Sequence, residues 1–95
     1  MTQITISEVG PRDGLQSVDT ILSTEGKLAW IEAEYGAGVR EIEVGSFVSP
    51  KLLPQMADTA AVVKGALRHK DWVIAVLVPN LRGCEAAVEA GAHKI

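Results

Sequence analysis

Arg12 and Asp13 stand side by side in the run Glu-Val-Gly-Pro-Arg-Asp-Gly-Leu-Gln, residues 8 to 16. Successive side chains of a strand point to opposite faces, so neighbouring Arg and Asp cannot serve one ligand from within a strand. Gly-Pro and Asp-Gly are turn dipeptides, and Gly14 gives the backbone the freedom to turn there. On such a loop both side chains can face one ligand. Asp13 offers a hard oxygen to a divalent cation such as Mg2+ or Mn2+. Arg12 offers a fixed fork of donors to an oxyanion. Residue chemistry alone also admits a plain turn that binds nothing.

The elements that hold this run follow from periodicity. Ile4, Ile6 and Val9, with Thr5 and Ser7 between them, read as strand one. Ser23 or Thr24 can cap a first helix, with Glu25 in its first turn. Leu28, Ile31 and Tyr35 lie on one helical face, and Gly36 and Gly38 stop it. Val39, Ile42 and Val44 make strand two, ending at Gly45. Asp58 can cap a second helix with Val62, Val63, Ala66 and Leu67 on its apolar side. The run from Trp72 to Val78 is strand three, apolar on both faces as in a covered parallel sheet. Asn80 caps helix three, with Leu81, Cys84 and Val88 expected inside. Gly91 ends it, and His93-Lys94-Ile95 opens strand four.

This βαβαβαβ alternation predicts an α/β fold with a parallel sheet and helices outside. Two echoes support repeating units. Glu-Val-Gly closes strands one and two, and Ala37-Gly38 recurs as Ala90-Gly91. A doubly wound open sheet gives the same alternation, but no Gly-rich dinucleotide fingerprint follows strand one.

In either parallel architecture ligands bind at the carboxyl ends of the strands. Arg12, Asp13 and Gln16 follow strand one. Glu43, Ser46 and Lys51 lie at or after the end of strand two, and Asn80 follows strand three. Lys51 reads as a surface charge and Asn80 as a helix cap. His69 and His93 belong to the opposite, amino-terminal face and are expected to hold no metal. Cys84 reads as a small core side chain.

Bulk properties narrow the partners. The chain has 95 residues, a formal net charge of -3 and one cysteine. That length allows one small domain with a marginal core. The acidic balance and the lack of a Lys/Arg cluster argue against nucleic acid. A lone cysteine excludes an internal disulfide, and the expected location is cytoplasmic. No apolar run approaches the ~18 residues of a membrane span, so no membrane contact is expected. Strand one begins so close to Met1 that a signal or transit peptide is not expected.

Three blocks together resemble the start of the 3-hydroxy-3-methylglutaryl-coenzyme A lyases, metal-dependent (β/α)8 TIM-barrel enzymes. The first is residues 8 to 16. The second is Glu43-Val-Gly-Ser-Phe-Val-Ser-Pro-Lys51, continuing through Pro54-Gln55-Met56-Ala57-Asp58. The third is Pro79-Asn80-Leu81 followed by Glu85-Ala86-Ala87-Val88. The resemblance covers essentially the whole chain. It implies three βα units and the start of strand four, residues 1–95 being the N-terminal part of one catalytic barrel of ~250 residues or more.

The resemblance implies a reaction and roles for residues. Asp13 matches the aspartate metal ligand, for Mg2+ or Mn2+. Arg12 matches the arginine that steadies the enolate oxygen formed from the thioester. Glu43 matches an acidic residue that orients a ligand or water near the metal, and Gln16 and Ser46 are pocket residues. The substrate implied is an acyl-CoA thioester, cleaved by a reverse Claisen reaction to acetyl-CoA and acetoacetate, as in leucine catabolism and ketone body formation. Full-length members are expected to be homo-oligomers. The family completes its site with a His-x-His pair, an asparagine and a cysteine from later segments, none of which lies in these 95 residues. Two alternatives stand beside this reading. A related synthase of the isopropylmalate or homocitrate type usually reads Arg-Asp-Gly-Glu-Gln where this chain has Leu15. A non-catalytic fragment or split-gene product is the other.

Overall fold

A computed structural model describes residues 6–16, 21–49 and 51–95. Two strands, β1 (Glu41–Ser46) and β2 (Val73–Leu77), pair in parallel. These are the expected strands two and three. Of the expected strand one, Ile4 and Thr5 lie outside the described residues. Its described end bonds to β1: Glu8 N–H donates to Glu41 O at 3.0 Å, and Glu43 N–H donates to Glu8 O at 2.8 Å. At the other edge Lys94 N–H donates to Ile74 O, and Val76 N–H donates to Lys94 O, each at 3.1 Å. Bridges therefore flank β1 and β2 in chain order, and both run parallel.

Three helices return the chain between strands: α1 (Thr24–Gly36), α2 (Thr59–Ala66) and α3 (Leu81–Ala90). Ser23 caps α1 by accepting from Gly26 N–H at 3.1 Å, and Asn80 caps α3 by accepting from Gly83 N–H at 2.8 Å. The Ala-Gly echo has a physical basis. Gly38 and Gly91 both adopt left-handed backbone, with φ of +100° and +93°. In each case the next residue donates back five positions, Val39 to Glu34 and Ala92 to Ala87, both at 3.1 Å. Each glycine thus closes a Schellman turn and aims the chain at the sheet.

The core lies between the sheet and the helices. Ile42, Val44, Ile74 and Val76 meet Ile31 of α1, Val62, Val63 and Ala66 of α2, and Ala87 of α3. Each large aliphatic side chain buried there contributes about 1.5–3 kcal/mol. Trp72 closes the amino end, its indole N–H donating to Ala66 O at 3.0 Å.

Two expectations fail. Asp58 precedes α2, but its side chain makes no cap hydrogen bond; it turns instead to α1. On α3 the inner row is Gly83, Ala87 and Ala90, whereas Leu81 and Val88 are exposed and Cys84 is half-buried. Close approach decides this. A Cβ on Gly83 would sit 2.7 Å from the Phe47 carbonyl oxygen, so the helix packs through its smallest residues. Among the described residues no helix is long and apolar enough to cross a membrane.

Candidate active site

The run after Glu8 is tighter than an open loop. Gly10–Gly14 winds into one wide helical turn, with Arg12 N–H and Asp13 N–H both donating to Val9 O, at 3.1 and 2.7 Å. Pro11 sits near its start, where it has no N–H to leave unsatisfied, and is buried. This turn lifts Arg12 and Asp13 over the carboxyl end of β1. Arg12 Nε–H donates to Glu43 Oε1 at 2.5 Å, and its Nη1 lies 3.5 Å from Asp13 Oδ1. The Arg12 and Glu43 side chains are each mostly buried, whereas Asp13 is 65% exposed. A charge-assisted bond between two largely desolvated groups fixes the guanidinium plane.

A bulge in β1 sets the second half of the site. Glu43 pairs with Ala75, but Val76 pairs with Gly45, so Val44 is an extra residue in the ladder. Strict alternation would put Glu43 and Ser46 on opposite faces. With one residue inserted, both fall on the face away from the helices. Gly45 turns toward α2, where an added Cβ would lie 2.8 Å from Thr59. Ser46 is fully buried, and its hydroxyl donates to Gln16 Oε1 at 2.7 Å. The Thr59 hydroxyl is 2.8 Å from Ser46 O and 2.7 Å from Met56 O, fixing the strand end.

A second polar cluster backs the first. Lys27 of α1 is only 2% exposed. Its ammonium donates to Gln55 O and pairs with Asp58 Oδ1 at 2.5 Å, while Thr24 Oγ donates to Asp58 Oδ2 at 2.6 Å. Burial pushes the Asp58 carboxyl up, but the hydrogen bonds from Lys27 and Thr24 outweigh it and hold it below the ordinary value. Gln55 Nε2 in turn donates to Gln16 O at 3.0 Å.

Arg12, Asp13, Gln16, Glu43 and Ser46 therefore lie at the same end of the sheet, in two bonded pairs with Asp13 beside the first. Lys51 is exposed. Both histidines lie at the opposite end. His69 stacks on Tyr35 with ring centroids 3.8 Å apart, its Nε2 2.7 Å from Glu32, and His93 Nδ1 accepts from Ile74 N–H at 3.0 Å. Among the described residues no three His, Cys, Asp or Glu side chains gather as a metal site. Lys27, Gln55 and Thr59 went unmarked in the sequence. Lys27 carried a signal, since it stands four residues before Ile31 and so intrudes on an apolar helix face. A pocket of about 380 Å³ opens between Ser46, Phe47, Met56 and Thr59 on one side and Asn80 and Arg82 on the other.

The model of the HMGL-like family matches residues 3–95. The chain belongs to the HMGL-like family. It is 52% identical over 93 residues to the mitochondrial hydroxymethylglutaryl-CoA lyase of Macaca fascicularis, covering 98% of this chain and 29% of that one. It is 46% identical over 92 residues to a hydroxymethylglutaryl-CoA lyase of Bacillus subtilis, covering 97% and 31%. Among solved structures, the hydroxymethylglutaryl-CoA lyase of Pseudomonas aeruginosa superposes with a TM-score of 0.88 at 44% identity, over 95% of this chain and 30% of that one. An HMG-CoA lyase of Acinetobacter baumannii, solved with coenzyme A and 3-methylmalate, gives 0.83 at 42%, over 97% and 32%. The chain spans about three tenths of the length of these relatives. HMGL-like relatives are enzymes, and the match implies a TIM-barrel architecture, of which the described residues show a small parallel α/β portion.

Proposed function

We propose that residues 1–95 form the first three βα units of a (β/α)8 barrel whose complete site cleaves 3-hydroxy-3-methylglutaryl-CoA to acetyl-CoA and acetoacetate. The observation that carries this reading is the Arg12–Glu43 pair at the carboxyl end of the sheet with Asp13 exposed beside it. The substrate is a tertiary alcohol beta to a thioester. Loss of the alcohol proton lets the carbon–carbon bond break, and negative charge collects on the thioester oxygen. Arg12 is the donor for that oxygen. Glu43 holds it by Nε, and its Nη1 lies 3.5 Å from Asp13, so the guanidinium is fixed beside the carboxylate proposed to hold the cation. A guanidinium fixed in advance stabilises the transition state more than the ground state.

Asp13 suits a hard divalent cation, Mg2+ or Mn2+: it is a carboxylate, exposed at the site, with Glu43 near enough to orient water. A cation held there supplies Lewis acidity that lowers the pKa of the substrate alcohol. One carboxylate does not make a tight site, so we also propose that the 95-residue chain by itself does not turn over substrate. Gln16 and Ser46 line the acyl end. Supporting the thioester class, the Acinetobacter baumannii relative was solved with coenzyme A. Leu15 and the run from Ser46 to Lys51 favour cleavage over the synthase alternative. We place the protein in the cytoplasm, as its relative in Danio rerio is named, although others are named mitochondrial. The complete protein is proposed to be a homo-oligomer serving leucine catabolism and ketone body formation.

The test is a graft. Residues 1–95 replace the corresponding segment of the Bacillus subtilis relative, and acetoacetate release from 3-hydroxy-3-methylglutaryl-CoA is measured. Cleavage by the graft supports the reading; a folded graft that only condenses acyl-CoA with a keto acid sinks it.

A further inference from the structure

Lys27 is the most deeply buried charge among the described residues, and the reaction gives it no part. Its ammonium is 2% exposed, bonded to Gln55 O and paired with Asp58. A lysine in that position costs several kcal/mol of lost hydration unless it is fully partnered. A methionine would fill the same space on α1 without that cost, so stability alone does not account for a lysine here. What the ammonium does uniquely is fix the Gln55 carbonyl. Gln55 then donates its side-chain amide to Gln16 O, and Gln16 accepts from the buried Ser46 hydroxyl. Three hydrogen-bonded steps thus run from α1, outside the sheet, to its carboxyl-end pocket.

We propose that Lys27, anchored by Asp58, is a positioning residue: through Gln55 it holds Gln16 and Ser46 in the geometry that receives the acyl end of the substrate. The significance of Gln16 and Ser46 rests on the function proposed above, but the relay does not, and its test needs no catalysis. Each link has a distinct role. Asp58 neutralises Lys27 and accepts from Thr24, so α1 and the segment 54–58 are tied together at two points. Gln55 spans the gap between that piece and the turn that carries Arg12. Gln16 ends the relay at Ser46, on the face that Glu43 shares.

Nuclear magnetic resonance of the 95-residue chain tests this with Lys27→Met and Gln55→Met. The signatures are the Gln16 carboxamide proton pair and the slowly exchanging Ser46 hydroxyl proton. In Lys27→Met both are expected to be lost, while the Ile74 and Val76 amides keep their protection. In Gln55→Met the same two are expected to be lost, with the Lys27 ammonium signal retained, because Lys27 bonds the Gln55 backbone. Unchanged Gln16 and Ser46 signals in either folded variant overturn the proposal. If Lys27→Met does not fold, Gln55→Met decides alone: loss of both signals supports the relay and their retention overturns it. Cleavage by the graft is a separate readout, so failure of the relay and failure of the lyase reading are told apart.

Discussion

Arg12 Nε–H donates to Glu43 Oε1 at 2.5 Å, joining the turn that follows the first strand to β1. The bond spans 31 positions in the chain. It fixes a guanidinium that would otherwise be a mobile surface group, with Nη1 held 3.5 Å from Asp13 Oδ1.

Arg12→Gln in the grafted enzyme is expected to lower turnover by several orders of magnitude, because it removes a contact formed with the developing oxyanion. Arg12→Lys restores little, since an ammonium cannot bond Glu43 and present a fork at once. Steady-state acetoacetate release measures both. A loss under about tenfold for Arg12→Gln would remove the role assigned to it.

Gly45→Ala is expected to destabilise the chain by about 1–3 kcal/mol, the usual cost of forcing extra volume into a packed interior. The new Cβ would meet Thr59, whose hydroxyl holds the Ser46 carbonyl. Urea unfolding followed by tryptophan fluorescence gives the stability. A Gly45→Ala/Thr59→Ser double variant, which removes the obstructing methyl, should recover part of it.

The pH dependence of stability has a defined sign at Asp58. Its carboxyl titrates below the ordinary value of 3.8 when folded, because Lys27 and Thr24 bond the charged form against the pull of burial. A depressed folded value contributes stability above the unfolded value, lost as pH falls through the folded one. Wild-type stability should therefore decline from about pH 4 downward more steeply than that of Asp58→Asn, which lacks this titration. Parallel acid profiles for the two would refute the assignment.

Calorimetric titration of the 95-residue chain with Mn2+ is expected to show no binding tighter than about millimolar, roughly 4 kcal/mol. Asp13 alone supplies one carboxylate, and water completes the shell. A micromolar site would mean that the chain assembles ligands not gathered around Asp13.

The alternation of apolar strands with capped helices was legible because each element carried its own local signal. Ser23 and Asn80 cap helices as their types suggest, and Gly38 and Gly91 end helices in left-handed backbone. The placement of Arg12, Asp13 and Glu43 at one end followed from where they stand relative to strand ends. Three features were not legible. The inner row of α3 is hidden because Leu81 and Val88 carry the stronger apolar signal, while the packing distance selects Gly83 and Ala87. Asp58 has the type and position of a cap, and only the fold brings Lys27 across to compete for it. The bulge at Val44 leaves no mark in composition, yet it decides which face Ser46 occupies.

That bulge ties the facing of the serine to how this short segment pairs. Below Val44 the strand keeps one phase of alternation and above it the other, so Glu43 and Ser46 are in step only because the count between them is offset by one. Deleting one of the two residues between them would restore the regular ladder with Glu43 and Ser46 two positions apart, both still on the face away from the helices. Pairing the full-length segment without the bulge would do the opposite, turning the serine toward α2 and the glycine toward the other face. The same rim is therefore compatible with a segment one residue shorter, and what it does not tolerate is the present length paired as a regular strand.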